Sequence, residues 1–395
     1  MLKIKNYILE QKLKNPKEPF CAYLYDCSAL REHVIQVKRS LPDGCQLFYA
    51  VKANSQAKII ETLAPLVDGF EVASYGEIEK VRAIDSNIPL IFGGPAKTDA
   101  ELRGAIEKKV RYIHVESLHE LYRLHEIASS LEAKVSILLR VNLHSPLPSG
   151  QLQMAGKATQ FGIDESQIPN VLEKLKEMSF LQLHGFHFHS MSNNLDEEAH
   201  VRFVSLCIEK AQQWAMDYDV PLSVVNVGGG IGVNYNEVDQ QFHWSDFTNQ
   251  LKQVLKEKEP CPGIYFECGR FLTAACGYYA VEVLDIKQNH GKWFAVVRGG
   301  SHHFRLPAAW KHSHPFAVLA IDHWSYPFPR MEISQVPATV AGELCTPNDV
   351  LAREVKVERL RLGDIFIFQY AGAYGWDISH HDFLSHPYPE MIFLE

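Results

Sequence analysis

A chain of 395 residues that is 46% apolar can bury a large core and is long for one compact domain, so two domains are expected. Its formal net charge of -8 excludes a broad basic field for nucleic acid or anionic lipid, while leaving room for a local cationic pocket. The eight cysteines are scattered, form no C-x-x-C pair, and place Cys261, Cys268 and Cys276 too far apart for a zinc knuckle, which points to a reducing compartment.

In chain order, the opening stretch MLKIKNYILEQKLKNPKEP alternates charge with single apolar residues and lacks the apolar run of a signal peptide or membrane helix. A cytoplasmic protein without membrane association is expected. Eight short β-branched or aromatic runs follow: CQLFYAVKA, GFEVAS, IPLIFGG, RYIHVES, VSILLRVN, LHGFHFHS, VVNVGGG and GIYFECG. Amphipathic runs such as SQAKIIETLAPLV, TDAELRGAIEKK and EEAHVRFVSLCIEKAQQW lie between them. Eight β/α units predict an α/β TIM barrel over residues 25–275. From about residue 276 the pattern becomes YYAVEVLDI, KWFAVVRGG, MEISQVPATVAGEL, EVKVERL and DIFIFQYAGAY, which predicts an all-β sandwich or barrel-like domain over 276–395, with residues 1–24 packing on it.

Barrels of this kind carry their chemistry at the C-terminal ends of the strands. There the sequence places Lys52, Glu116, Arg140, His187 and His189, Gly228 to Gly230, and Glu267 with Arg270. An inward lysine at a water-poor strand end is costly unless neutralised; a depressed pKa would make it a nucleophilic amine able to condense with an aldehyde. The competing reading is an ion pair with Glu71 or Glu116, and Lys52 alone does not separate the two. The glycine-rich VGGGIG (227–232) after the seventh strand and Arg270 after the eighth offer backbone N–H groups and a charge to a phosphate. One phosphate with an aldehyde-bearing ring on a lysine is pyridoxal 5'-phosphate, and Glu267 stands where the ring nitrogen needs an acid partner. The pair His187 and His189 has a rival reading as metal ligands on one strand face, but the first strand carries a lysine where metal barrels carry H-x-H, and no metal is expected.

The stretches YAVKAN, HFHSMS, VGGGIG, ECGRF, GELC and YAGAYG, in this order from about residue 20 to the C-terminus, resemble the fold-type III pyridoxal-phosphate decarboxylases, whose barrel is alanine racemase-like and whose members include the diaminopimelate, ornithine and carboxynorspermidine decarboxylases. Within that family GFEVAS, IFGGP, SNNLD and YAGAYGWDISHHDFLSHP look like the branch that serves staphyloferrin B siderophore synthesis by decarboxylating a citryl-diaminopropionate. The resemblance implies that Lys52 carries the cofactor as a Schiff base, that His189 lies on the ring face, and that Ser192, Gly229, Gly230, Gly269, Arg270 and Tyr374 hold the phosphate. It implies Glu267 for the pyridine nitrogen and Cys345 as the proton donor to Cα, entering from the neighbouring subunit of a homodimer with shared active sites. Read without the family, Cys345 is an ordinary buried cysteine.

Two departures bear on substrate. Cys268 replaces the family's usual proline, and Thr346 replaces the acidic residue that follows the catalytic cysteine in relatives that grip a distal amine. In its place the β domain offers Arg298, His302, His303, Arg305, His380 and His381, anion-binding residue types suited to a citrate-conjugated small molecule, with Arg305 foremost because a guanidinium grips a carboxylate bidentately. A solvated surface is the alternative for that cluster. Diaminopimelate or another diamino acid is the alternative substrate; an amino-acid racemase of the same fold is disfavoured by Glu267.

Overall fold

A computed structural model of the chain describes residues 1–144, 152–153 and 158–395. The chain divides into two compact units, one formed by Arg31–Asn234 with Gln240–Leu272, the other by Met1–Leu30, Tyr235–Asp239 and Thr273–Glu395.

The first unit is the TIM barrel. Its strands, in chain order, are Cys45–Ala50, Gly69–Val72, Leu90–Phe92, Tyr112–Val115, Val135–Asn142, Leu181–His187, Val224–Gly228 and Gly263–Cys268. Each pairs in parallel with the next, and the eighth returns to the first through Ile264↔Cys45 to Cys268↔Tyr49, which closes the ring. The turns into the helices are written locally: Ser74, Thr98, Ser117 and Asp196 each accept a hydrogen bond from a first-turn backbone N–H, and Thr98 with Glu101 completes a capping box. Caps of this type contribute about 1 kcal/mol each, and here they fix where four of the barrel helices begin.

The barrel interior is filled in layers drawn from alternate strands. Phe48, Ile91, Leu138 and Val224, from the first, third, fifth and seventh strands, belong to one buried apolar cluster. Glu71, His114, His187 and Glu267, from the second, fourth, sixth and eighth, are buried polar residues. Four polar side chains on even strands are an expensive choice for a core, and they mark the end where chemistry is done.

The second unit is mostly β. Cys21–Asp26 pairs antiparallel with Gly277–Asn289 and parallel with Glu390–Leu394, so the chain's first strand and its last share a sheet. The helix Leu2–Lys14 turns Ile4 and Ile8, one turn apart, into a core of Phe20, Leu24, Ala280, Ile365 and Ile367. A short helix, Leu306–Trp310, follows the RGGSHHFR stretch. Among the described residues no helix is long and apolar enough to cross a membrane.

Candidate active site

Lys52 lies just past the first strand, in a single 3-10 turn over Val51–Ala53. Asn54 N–H donates to the Val51 carbonyl at 3.0 Å, and the Tyr49 hydroxyl donates to the Asn54 carbonyl at 2.9 Å, which curls the chain where the sequence predicted continued strand. The turn carries the amine to the barrel mouth instead of into its wall. The side chain is 37% exposed, so it is not desolvated as the sequence suggested, and Nζ donates to Glu71 Oε2 at 2.8 Å. Glu71 is buried, which raises its carboxyl above the ordinary range against the pull of Lys52, and the nearby Glu267 adds to the rise. Glu116, the other partner considered for Lys52, is engaged elsewhere: it accepts from Arg140 Nη1 at 2.7 Å and from the Gly94 and Gly162 backbone N–H groups.

Glu267 occupies the polar layer. Asn226 Nδ2 donates to its Oε1 at 2.7 Å, while His187 Nε2 stands 3.4 Å from Oε2 and His114 Nε2 3.8 Å from Oε1. The rings of His114 and His187 stack with centroids 3.9 Å apart. Burial drives both imidazoles well below their ordinary pKa, and their mutual repulsion lowers His114 further, so both are neutral. His114, His187 and Glu267 gather ligand-type atoms within 4.8 Å, but rings stacked 3.9 Å apart and tilted by 22° keep their lone pairs in two near-parallel planes, a poor start for tetrahedral ligation. His114 and Asn226 were absent from the sequence reading, which weighed strand ends. The period-2 rule would have found them, since each lies two residues before a residue that was singled out.

His189 is held by the Gly229 backbone N–H, which donates to Nδ1 at 3.1 Å; the proton of the neutral ring therefore belongs on Nε2. Burial again pushes its pKa well down, with Lys52 and Arg140 adding to the shift. The glycines of this loop are sterically required. A Cβ on Gly228 (φ +69) would meet His189 Nδ1 at 2.5 Å, one on Gly229 would meet the Glu267 carbonyl at 2.3 Å, and one on Gly230 (φ +99) would meet the Met191 carbonyl at 2.7 Å. Gly269 abuts the lysine turn, where a Cβ would come within 2.9 Å of Ala53 Cβ. Arg270, buried, opens the next short helix, and Ser192 lies on a two-residue strand paired with Leu152–Gln153. Lys52, His189, Gly229, Gly230, Glu267, Gly269 and Arg270 thus all stand at or beside the C-terminal strand ends of one unit.

The remaining predicted residues belong to the other unit. Cys345 is exposed, unlike an ordinary buried cysteine. Its loop is braced by the buried Asp349, which accepts from the Ser301 N–H at 2.6 Å and the Leu344 N–H at 2.9 Å; the acidic residue of CTPND is therefore turned inward. Tyr374 takes a left-handed backbone, φ +52. Arg298 is engaged by its own carboxylate, Nη1 reaching both Glu343 oxygens at 2.6 Å. His302 and His303 are fully buried rather than solvated, their rings tilted against each other with centroids 3.8 Å apart, and burial lowers them to about 4 and about 2, so they carry no positive charge. His381 stacks on Trp376 at 3.6 Å. Arg305 and His380 are exposed, and the guanidinium helps to lower the imidazole's pKa, behind burial. Of the expected anion-binding set, the cation facing solvent reduces to Arg305.

Comparison with known proteins accords with this arrangement. The family described as "Pyridoxal-dependent decarboxylase, pyridoxal binding domain" matches residues 27–274. Over 394 residues, covering 100% of this chain and 98% of the relative, the sequence is 49% identical to 2-[(L-alanin-3-ylcarbamoyl)methyl]-2-hydroxybutanedioate decarboxylase of Staphylococcus aureus. It is 29% identical to diaminopimelate decarboxylase of Campylobacter jejuni, covering 90% of this chain and 86% of that one. Among solved structures, diaminopimelate decarboxylase from Helicobacter pylori complexed with L-lysine superposes with a TM-score of 0.85 at 27% identity, covering 98% and 94% of the two chains.

Proposed function

The chain belongs to the pyridoxal-dependent decarboxylases, and from that premise we propose that it removes the α-carboxylate of a citrate amide of L-2,3-diaminopropionate, giving citryl-diaminoethane for siderophore synthesis. The observation that carries the substrate is the 49% identity, end to end, with the Staphylococcus aureus enzyme that acts on that compound. The replacement of an acidic residue by Thr346 and the exposed Arg305 support it, because a citryl arm presents carboxylates and no amine.

The barrel mouth fits pyridoxal phosphate. A lysine amine stands beside a glycine loop that leaves no room for a Cβ, and the buried Arg270 offers a charge for the phosphate. Bound there, the cofactor supplies an aldehyde for amines and a ring that accepts the electron pair left when the carboxylate departs. In the proposed roles Lys52 holds it and gives way to the substrate amine, and Glu71 orients the Lys52 ammonium and can take up its proton. Gly229, Gly230, Gly269, Ser192, Arg270 and Tyr374 hold the phosphate. His189, its tautomer set by the Gly229 N–H, lies against the ring face. Glu267 keeps a proton at the ring nitrogen. Cys345 delivers a proton to Cα, and we assign it to the neighbouring subunit's site in a homodimer. Arg305, with His380 and His381 beside it in the same unit, binds the citryl end. Eight scattered cysteines with no C-x-x-C pair support a cytoplasmic enzyme.

The test is mass spectrometry of citryl-diaminopropionate, diaminopimelate, ornithine and carboxynorspermidine in parallel, with the visible absorbance of the purified protein recorded before and after borohydride. Loss of CO2 fastest from the citryl conjugate is the expected outcome. Faster turnover of diaminopimelate would replace this substrate, and a colourless protein would remove the cofactor.

A further inference from the structure

Beneath the barrel mouth, Asn226 on the seventh strand is fully buried and touches three groups at once. Its Oδ1 accepts from the Gly228 backbone N–H at 2.9 Å, while Nδ2 donates to Glu267 Oε1 at 2.7 Å and lies 3.3 Å from His114 Nε2. A backbone N–H can only donate, so the amide oxygen must face Gly228 and the amide NH2 must face Glu267; the loop decides the orientation of the side chain. Facing an NH2 group, Glu267 Oε1 accepts, so the amide fixes which carboxyl oxygen points at Asn226 and leaves Oε2 as the one that can face elsewhere. The second amide hydrogen points at His114 Nε2, which makes that nitrogen an acceptor and puts the imidazole proton on Nδ1. His114 in turn is clamped by its stack on His187.

We propose that Asn226, anchored by His114, is a positioning residue that holds Glu267 in one orientation and ties it to the first glycine of the phosphate-side loop. The inference rests on the reading that Glu267 faces the ring nitrogen. On that reading, the loop that holds the phosphate and the carboxylate that governs the ring nitrogen share one side chain, and seating one end of the cofactor seats the partner of the other.

The experiment is 15N NMR of the holoenzyme loaded with pyridoxal phosphate labelled at the ring nitrogen, together with the cofactor dissociation constant, for four variants. Glu267→Gln is the control: its resonance moves to the unprotonated position. Asn226→Asp keeps an oxygen for Gly228 and replaces the donor to Glu267 with a second carboxylate. Its resonance moves in the same direction, kcat falls about tenfold, and cofactor affinity is unchanged. Asn226→Leu loses both contacts and weakens cofactor binding as well. His114→Phe, which leaves the loop contact intact, gives a smaller shift of the same sign. A wild-type resonance in Asn226→Asp and His114→Phe while Glu267→Gln moves would overturn the role of Asn226 alone. An unmoved resonance in Glu267→Gln would overturn the ring-nitrogen reading and this inference with it.

Discussion

Two of the cation–glutamate pairs, one in each unit, stand beside histidines and do opposite things. In the barrel, Lys52 meets Glu71 through a single contact of 2.8 Å, with the lysine 37% exposed and the carboxylate buried. In the β unit, Arg298 meets Glu343 through two contacts of 2.6 Å, with the Gly299 N–H adding a third bond to the same carboxylate. A guanidinium cannot lose its proton at any relevant pH, so the second pair is a brace. A lysine can, and burial has already raised its partner's affinity for a proton. The same two charge types therefore yield a fixed clamp in one place and a releasable amine in the other.

The largest effect should come from making the first pair resemble the second. Lys52→Arg keeps a cation against Glu71 but no amine that can be liberated; decarboxylation is expected to fall by at least about a thousandfold, with the visible absorbance lost. Retained colour and turnover would break the contrast. Next is Cys345, an exposed thiol beside the Arg298 brace in sequence. Cys345→Ala should lower kcat about a hundredfold with little change in KM, measured by CO2 release, if it supplies the proton to Cα. Removing the brace itself is a stability experiment: Glu343→Ala strands a partly buried guanidinium and should cost about 3 kcal/mol in urea unfolding. A change near zero would mean that the Arg298 pair is a surface ornament. Arg305→Met, which touches neither pair, should raise KM for the citryl substrate about tenfold and leave kcat nearly unchanged. The smallest effect concerns His302, lowered by burial from 6.5 to about 4. It is neutral in the fold and takes up a proton on unfolding, so its contribution is complete above pH 6.5 and is lost as the pH falls toward 4. His302→Phe should therefore show a shallower loss of urea midpoint between pH 7 and pH 5 than the parent protein; parallel curves would contradict the burial effect.

The strand ends were legible because a barrel makes position along the strand equivalent to position along its axis. Lys52, Glu267 and the GGG run could be picked from their places in the eight repeats. The layer one step below was less visible: His114 and Asn226 sit inside apolar runs, where an isolated polar residue looks like an accident of composition. In the β unit the residue types misled in the other direction. RGGSHHFR reads as positive, yet Glu343 is 45 residues from Arg298 and Asp349 is 48 from Ser301, so the groups that neutralise and brace this stretch arrive only through the sheet.

Sequence by itself determined the eight-fold alternation, the mostly β second domain, and the residue types at each strand end, because periodicity and turn chemistry are local properties of the chain. What only the tertiary structure decided was protonation and orientation. Whether a histidine is charged, which way an asparagine amide faces, and which carboxylate a cation meets all depend on burial and on partners distant in sequence. Lys52 is the clearest case: its identity was written in the first strand, but its exposure comes from one turn and its carboxylate from the neighbouring strand.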